Sequence, residues 1–167
     1  MKSIPDILRA LTDAEVQFVL VGGFAVQLHG FVRTTVDLDL VLAMDDDNLS
    51  RFIEVAKQFS LAPIIPVSIE SLKSASQIDR WHREKGMLAF ALREPQAAGS
   101  VLDILVRPEV SFQALQRDAV TVKLFERDVK IASIEHLLVM KRIAGRPKDR
   151  IDIEALEKIQ RGEDPYV

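Results

Sequence analysis

Val16-Gln17-Phe18-Val19-Leu20-Val21-Gly22-Gly23 and, thirteen residues after the glycine pair, Asp37-Leu38-Asp39-Leu40-Val41-Leu42 set the frame of this chain. The first run is apolar enough for a buried strand, and two glycines stop it. After it, Phe24, Ala25 and Leu28 mark one helical face up to Gly30. The predicted unit is strand, diglycine, helix. The second run, predicted as a strand over 36–43, has a period of two that places Asp37 and Asp39 on one face and Leu38, Leu40 and Leu42 on the other. The two acids become neighbours, either as the wet face of an ordinary half-exposed strand or as part of a site.

A third acid decides how much weight that pair carries. Asp103 interrupts Val101-Leu102-Asp103-Ile104-Leu105-Val106, a run that otherwise reads as a central strand covered on both faces. A lone carboxylate buried there is costly unless a cation or strong donors compensate it. A core arginine would do so. So would a divalent cation shared with Asp37 and Asp39, and hard oxygen ligands without histidine or cysteine favour magnesium or manganese over zinc. Gly22-Gly23 supplies the complementary feature. Small residues between a strand and a helix let backbone N–H groups approach a phosphate, although a tight turn alone also explains them. The pair belongs to neither a Walker A loop nor a Rossmann GxGxxG. An anion site followed by a carboxylate pair suggests a nucleoside triphosphate held through metal by its phosphates.

Composition narrows the alternatives. The chain has 167 residues, 48% hydrophobic and 28% charged, within the range of ordinary globular proteins. Such a length buries about 70% of the surface of the unfolded chain. A single domain over 1–167 is expected, with a core of about 16–132 and C-terminal helices over about 133–161. There is no cysteine, hence no disulfide, thiolate zinc site or cysteine nucleophile, and His29, His82 and His136 show no metal-binding spacing. A net charge of -3 removes the simple argument for non-specific coating of nucleic acid. No apolar run is long enough for a membrane span and the start is no signal peptide, so a cytoplasmic location without membrane contact is expected.

Between these landmarks, Ile4, Ile7, Leu8 and Leu11 give a helix over 3–13, with Ser3 and Asp6 as its capping pair. Asp45-Asp46-Asp47 resembles metal chemistry at first sight. Acids at a helix N-terminus complement its dipole, however, and no glycine-punctuated calcium loop follows, so they are read as the cap of the helix carrying Leu49, Phe52, Ile53 and Ala56. The stretch 63–86 is the least legible, with a helix expected from Ser68. Its Trp81, among basic residues, either stacks on a base or packs on the core. Strands over 87–92 and 101–106 are expected to form a hairpin through 94–99, and a second strand pair spans about 119–125 and 128–132. Helices over 133–144 and about 148–161 follow, separated by Gly145 and Pro147. The predicted class is α/β (α+β), a mixed and mostly antiparallel sheet flanked by helices.

These residues together carry a family resemblance. Val21-Gly22-Gly23 followed by Asp37-Leu38-Asp39-Leu40 resembles the glycine-pair and Asp-apolar-Asp-apolar signature of the nucleotidyltransferase superfamily, with its polymerase-beta-like fold, and Asp103 resembles its third carboxylate. Lys141-Arg142-Ile143-Ala144-Gly145-Arg146-Pro147-Lys148-Asp149-Arg150-Ile151-Asp152 is similar to the K-x-x-A-x-R-x-K-D-x-x-D stretch of small nucleotidyltransferases grouped with the AbiEii toxins. The resemblance implies magnesium- or manganese-dependent transfer of a nucleoside monophosphate from an NTP such as ATP to an acceptor: RNA such as tRNA, a protein or a small molecule. It also implies the toxin of a toxin–antitoxin pair, with an antitoxin protein as partner. Asp37, Asp39 and Asp103 would hold metal, and Gly22 and Gly23 would position the triphosphate. Arg33, Thr34 and Thr35 would contact phosphate or base. Lys141 would offset charge on the leaving pyrophosphate, unless its stem merely covers the core and its ammonium escapes to water. Asp149 and Asp152, three apart on one helix, would orient Lys141, Arg33 or Arg146, with Asp149 alternatively a helix cap. The competing class is a catalytically inactive nucleotide-binding or regulatory module that acts through a protein partner.

Overall fold

The computed structural model describes residues 3–95 and 101–167. In chain order the elements are α1 (Ile4–Asp13), β1 (Phe18–Val21), α2 (Gly22–Leu28), β2 (Leu38–Leu42), α3 (Asp46–Gln58), β3 (Ala62–Pro63), a 3-10 turn (Ile69–Lys73) and α4 (Ala75–Lys85). There follow β4 (Ala89–Arg93), β5 (Leu102–Leu105), α5 (Phe112–Arg117), β6 (Val120–Leu124), β7 (Arg127–Ile131), α6 (Ile134–Ala144) and α7 (Pro147–Gln160). The seven strands form one sheet in the order β3-β4-β5-β2-β1-β7-β6. Only β1–β7 and β2–β5 pair in parallel and the other four pairings are antiparallel, as the strand-rich sequence order led us to expect. β1, β2 and β5 contribute wholly buried Val19, Leu20, Leu40 and Ile104, and α3 lays Phe52 into the same core.

The helix ends follow their sequence signals. The Ser3 backbone N–H and hydroxyl both donate to the Asp6 carboxylate, at 3.1 and 2.6 Å. Asp45 accepts from the Asn48 N–H at 2.9 Å, with Asp46 and Asp47 in the first turn of α3, so the triple aspartate caps a helix. Asn48 is completely buried, and its amide accepts from Gln17 N (2.7 Å) and donates to Gln17 O (3.0 Å) and Ala43 O (2.8 Å). One side chain thereby stitches the entry of β1 to the exit of β2.

Three expectations differ from the structure. The strand placed over 36–43 begins at Leu38, because β1 ends at Val21 opposite Asp39 and the chain turns away into α2 at Gly22, leaving residues 31–37 extended but unpaired. The helix expected from Ser68 is split at Ser74, whose side chain caps α4 by accepting from Gln77 N at 3.3 Å. β5 is not covered on both faces: Leu102 and Ile104 are buried while Asp103 and Leu105 are partly exposed. Trp81 is buried and stacks on Phe90, with ring centroids 6.4 Å apart, so it packs on the core. The hairpin of β4 and β5 is present, but most of its expected turn over 94–99 lies outside the described residues. No described helix is long and apolar enough to cross a membrane.

Asn48→Ala removes the stitch and takes a partner from the Gln17 N–H and from the Gln17 and Ala43 carbonyls, the last of them buried. Such losses cost about 2–4 kcal/mol, so the thermal midpoint should fall by about 5–12 °C. Calorimetry checks this, and an unchanged midpoint would show that the β1–β2 ends hold without the amide.

Candidate active site

The register of the sheet brings three chain segments into one row. Asp39 on β2 lies opposite Val21 on β1 and beside Asp103 on β5, which in turn faces Ala91 on β4. Asp39 and Asp103 are therefore lateral neighbours on one face. Gly22, the residue after Val21, has a φ of +66°, and a Cβ there would lie 2.6 Å from the Asp39 carboxyl carbon. Both the backbone conformation and the contact demand glycine. At Gly23 a Cβ would meet Arg33 Nη2 at 2.5 Å and Thr35 Oγ1 at 2.9 Å. The space that these glycines leave open is filled by side chains of the site itself.

The same faces continue along the chain as two stripes. In 31–37 the odd residues are turned inward and Val32, Thr34 and Val36 outward, so Arg33, Thr35, Asp37 and Asp39 all line one cleft of about 580 Å³ and Thr34 does not. From β5 onward Asp103, Leu105, Arg107 and Glu109 line it in the same alternation. Asp37 precedes the ladder of β2 yet keeps its facing. α6 covers the opposite side with Met140, Lys141 and Ile143, and Arg146 before α7 and Lys148 in its first turn add to it. Arg107, Glu109 and Lys148 join the site without having been singled out in the sequence. For Arg107 and Glu109 the signal was present, as a continuation of the alternation that begins at Asp103.

Asp149 and Asp152 do not line the cleft. They lie beneath its wall, wholly buried, and hold the cations that do line it. Lys141 is only 5% exposed, and its ammonium donates to Asp152 at 2.6 Å and Asp149 at 3.4 Å, so it does not escape to water. Arg33 Nη2 donates to Asp152 Oδ2 at 2.9 Å, and its Nε lies 2.7 Å from Oδ1 as an ion pair not aligned for a hydrogen bond. Arg146 donates to Asp149 from Nε at 2.8 Å and from its backbone N–H at 3.1 Å, which also caps α7. Asp149 thus both braces a cation and caps a helix. Burial pushes its carboxyl up, but the Arg146 hydrogen bonds and the neighbouring Lys141 outweigh this and hold it below the usual range.

The cleft acids have no such partners. Among the described residues, no hydrogen bond or ion pair reaches the side chains of Asp37, Asp39 or Asp103, so the core arginine imagined for Asp103 is not there. Burial, then Asp103 and Asp37, push Asp39 up to about 6 against the pull of Lys141 and Arg146. Asp103 is raised by burial and by Asp37, with Lys148 opposing. Among the described residues no group of three or more acids or imidazoles is gathered into a ready metal cage. Magnesium seldom needs one, taking one or two carboxylates and completing its shell with water and substrate phosphates. Adjacent oxygen donors without a cation of their own, in a cleft open to solvent, fit that ion.

The sign of the Asp39 shift gives a measurable consequence. Because its native carboxyl titrates near 6 and its ordinary value is 3.8, the native state is penalised progressively as pH rises across that interval and fully above it. Asp39→Asn should therefore raise the melting temperature of metal-free protein by about 2–6 °C at pH 7.5, with no gain at pH 4. A gain equal at both pH values would show that repulsion at Asp39 is not its source.

Comparison with known proteins agrees with the geometry. The family profile described as nucleotidyl transferase AbiEii toxin, type IV TA system, matches residues 6–165. No curated protein matches the chain. Among solved structures, the lincomycin-bound lincosamide antibiotic adenylyltransferase LnuA is similar over 92% of this chain and 93% of its own, at 18% identity and a TM-score of 0.61. A nucleotidyltransferase-like antigenic protein from Paracoccidioides brasiliensis follows at 20% identity and 0.55, over 93% of this chain and 72% of its own. ANT(2")-Ia, in complex with adenylyl-2"-tobramycin, is similar over 92% of this chain and 88% of its own, at 13% identity and 0.54. At these identities the structures attest the fold, while the match over nearly the whole length, on top of the glycine pair and the aspartate row, makes this chain a nucleotidyltransferase of the AbiEii family.

Proposed function

We propose that the cleft binds a nucleoside triphosphate with magnesium or manganese and transfers its nucleoside monophosphate to an acceptor hydroxyl. The observation that carries this reading is the opposition of unpaired Asp39 and Asp103 to Lys141, a lysine held rigid by two buried aspartates. Asp37, Asp39 and Asp103 are the residues that would hold the divalent cation, which when bound supplies charge neutralisation at the phosphates. The acceptor oxygen bonds to the α-phosphorus, the bond to the β-phosphate oxygen breaks, and pyrophosphate leaves. Asp103, beside Asp39 on the cleft floor, takes the hydroxyl proton. Arg33, Thr35, Arg146 and Lys141 face the triphosphate. Lys141 stabilises the charge that develops on pyrophosphate, and because Asp149 and Asp152 fix it in advance, little reorganisation is needed at the moment of reaction. Gly22 and Gly23 serve this arrangement by letting Asp39 and Arg33 lie against the backbone.

The acceptor we place first is RNA, in particular tRNA, within a toxin–antitoxin setting that includes an antitoxin partner. Two of the three similar solved structures hold an antibiotic or an adenylylated antibiotic, so a small hydroxyl-bearing molecule is the acceptor to test beside it. An inactive binding module would have no use for a lysine braced in this way over unpaired acids.

Nucleoside triphosphates labelled at the α-phosphate, incubated with magnesium and separate pools of tRNA, other RNA, protein and small molecules, should label one pool. Asp37→Ala combined with Asp39→Ala should reduce labelling by about a hundredfold or more and abolish the rise in melting temperature that nucleotide with magnesium gives the wild type. Failure of every pool to take label, with the melting shift retained, would favour the binding module. Lys141→Met should lower turnover by about tenfold to a thousandfold, assayed where circular dichroism shows it folded. It should also lower stability, since two buried carboxylates lose a partner. Normal turnover would remove Lys141 from the chemistry.

A further inference from the structure

Residues 31–37 carry Arg33, Thr35 and Asp37 into the cleft, yet they belong to no strand and no helix. No sheet ladder fixes their facing, and in an extended segment a shift of one residue exchanges the two faces. Val32, Thr34 and Val36, now turned to solvent, would then replace the polar set. Something must fix the register. At the far end Leu38 N–H donates to Val101 O at 2.9 Å, and in the middle the Gln27 amide donates to Arg33 O.

The near end is held by the chain beyond α7. The Tyr166 ring packs on Phe31, with centroids 5.4 Å apart and planes at 39°. Its hydroxyl accepts from Val32 N–H at 2.7 Å and donates to Gly30 O at 3.4 Å. Its own N–H donates to Asp164 Oδ1 at 2.9 Å, which closes the turn that aims the ring. Because Asp152 on α7 holds the Arg33 side chain, one element and its extension grip the segment twice, at a guanidinium and at a neighbouring backbone amide. Tyr166 lies outside the cleft and touches no reacting atom.

We infer that Tyr166 is a positioning residue for nucleotide binding: by fixing Phe31 and the Val32 backbone, it sets the register in which Arg33 and Thr35 meet the triphosphate. The inference rests on the functional reading above and extends it to a residue remote from the chemistry.

Tyr166→Phe keeps the ring and removes the hydroxyl. The KM for nucleoside triphosphate, and the Kd of a non-hydrolysable analogue with magnesium, should rise about threefold to tenfold, the scale of one hydrogen bond, while kcat stays within about twofold. Tyr166→Leu, which also loses the ring contact, should weaken binding further and speed amide exchange over Val32–Asp37. Tyr166 is the only tyrosine, so 3-fluorotyrosine labelling gives one fluorine resonance, which should shift when the analogue binds the wild type. Affinities are compared where circular dichroism shows all variants folded. Equal affinity in wild type and Tyr166→Phe overturns the inference alone, as does a loss confined to kcat. A wild type that binds no nucleotide overturns the functional reading and this inference with it.

Discussion

Everything in this molecule that concerns catalysis depends on the pleat of β1, β2 and β5 being in register. Alternation along a strand decides which residues share a face, and the pairings decide which of those are neighbours. Here the two rules place Val21, Asp39 and Asp103 in one row, with Gly22 turning the chain away just where Asp39 needs room. A slip of one residue on β2 would send both Asp37 and Asp39 toward the apolar layer and Leu38 toward the cleft. The wholly buried Leu38, Leu40 and Ile104 on the opposite face make that slip costly, so the hydrophobic core is what holds the acids in position.

The second half of the site is built by a different device. α6 and α7 contribute a cluster in which Asp149 and Asp152 share three cations, Lys141, Arg33 and Arg146. Buried ion pairs of this kind add little net stability, because desolvation offsets much of their attraction. Their value is geometric. The cluster ties α6 to α7 and both to the segment before β2, and it presents positive groups to a cleft whose floor is negative. Burial and neighbouring negative charge raise the carboxyls of Asp39 and Asp103 on the floor, while the acids beneath the wall are ion-paired. A native state that keeps the first set unpaired gives up stability for function.

Much of this was legible in the residues. The strand, diglycine and helix, the aspartate pair, the capping role of Asp45 and the two strand pairs followed from periodicity and turn chemistry, which are local properties. The placing of Asp37 and Asp39 on one face followed from counting by twos, whereas Asp103 joins them through the parallel register of β2 and β5. What was not legible was tertiary. α5 has six residues and a single buried side chain, Leu115, too few to show a period. The end of β2 is set by where β1 turns away, which no residue of β2 encodes. Lys141 at the edge of an apolar helix face read equally well as a snorkelling side chain, because its two partners belong to the next helix and burial follows from how α6 and α7 cross. Arg107 and Glu109 were readable as the extension of a stripe, but that required knowing that β5 has one open face.

The two halves of the cleft are also widely separated along the chain. The glycines and the three acids precede residue 104, whereas Lys141, Arg146 and the aspartates that fix them follow residue 140. A ribosome makes the acidic floor first and supplies Lys141, Arg146 and both bracing aspartates only with α6 and α7. While Lys141 is still in the exit tunnel, Arg33 has no Asp152 to grip. The negative floor of the cleft is therefore made well before the positive groups of its wall, and the two meet only when α6 and α7 pack against the sheet.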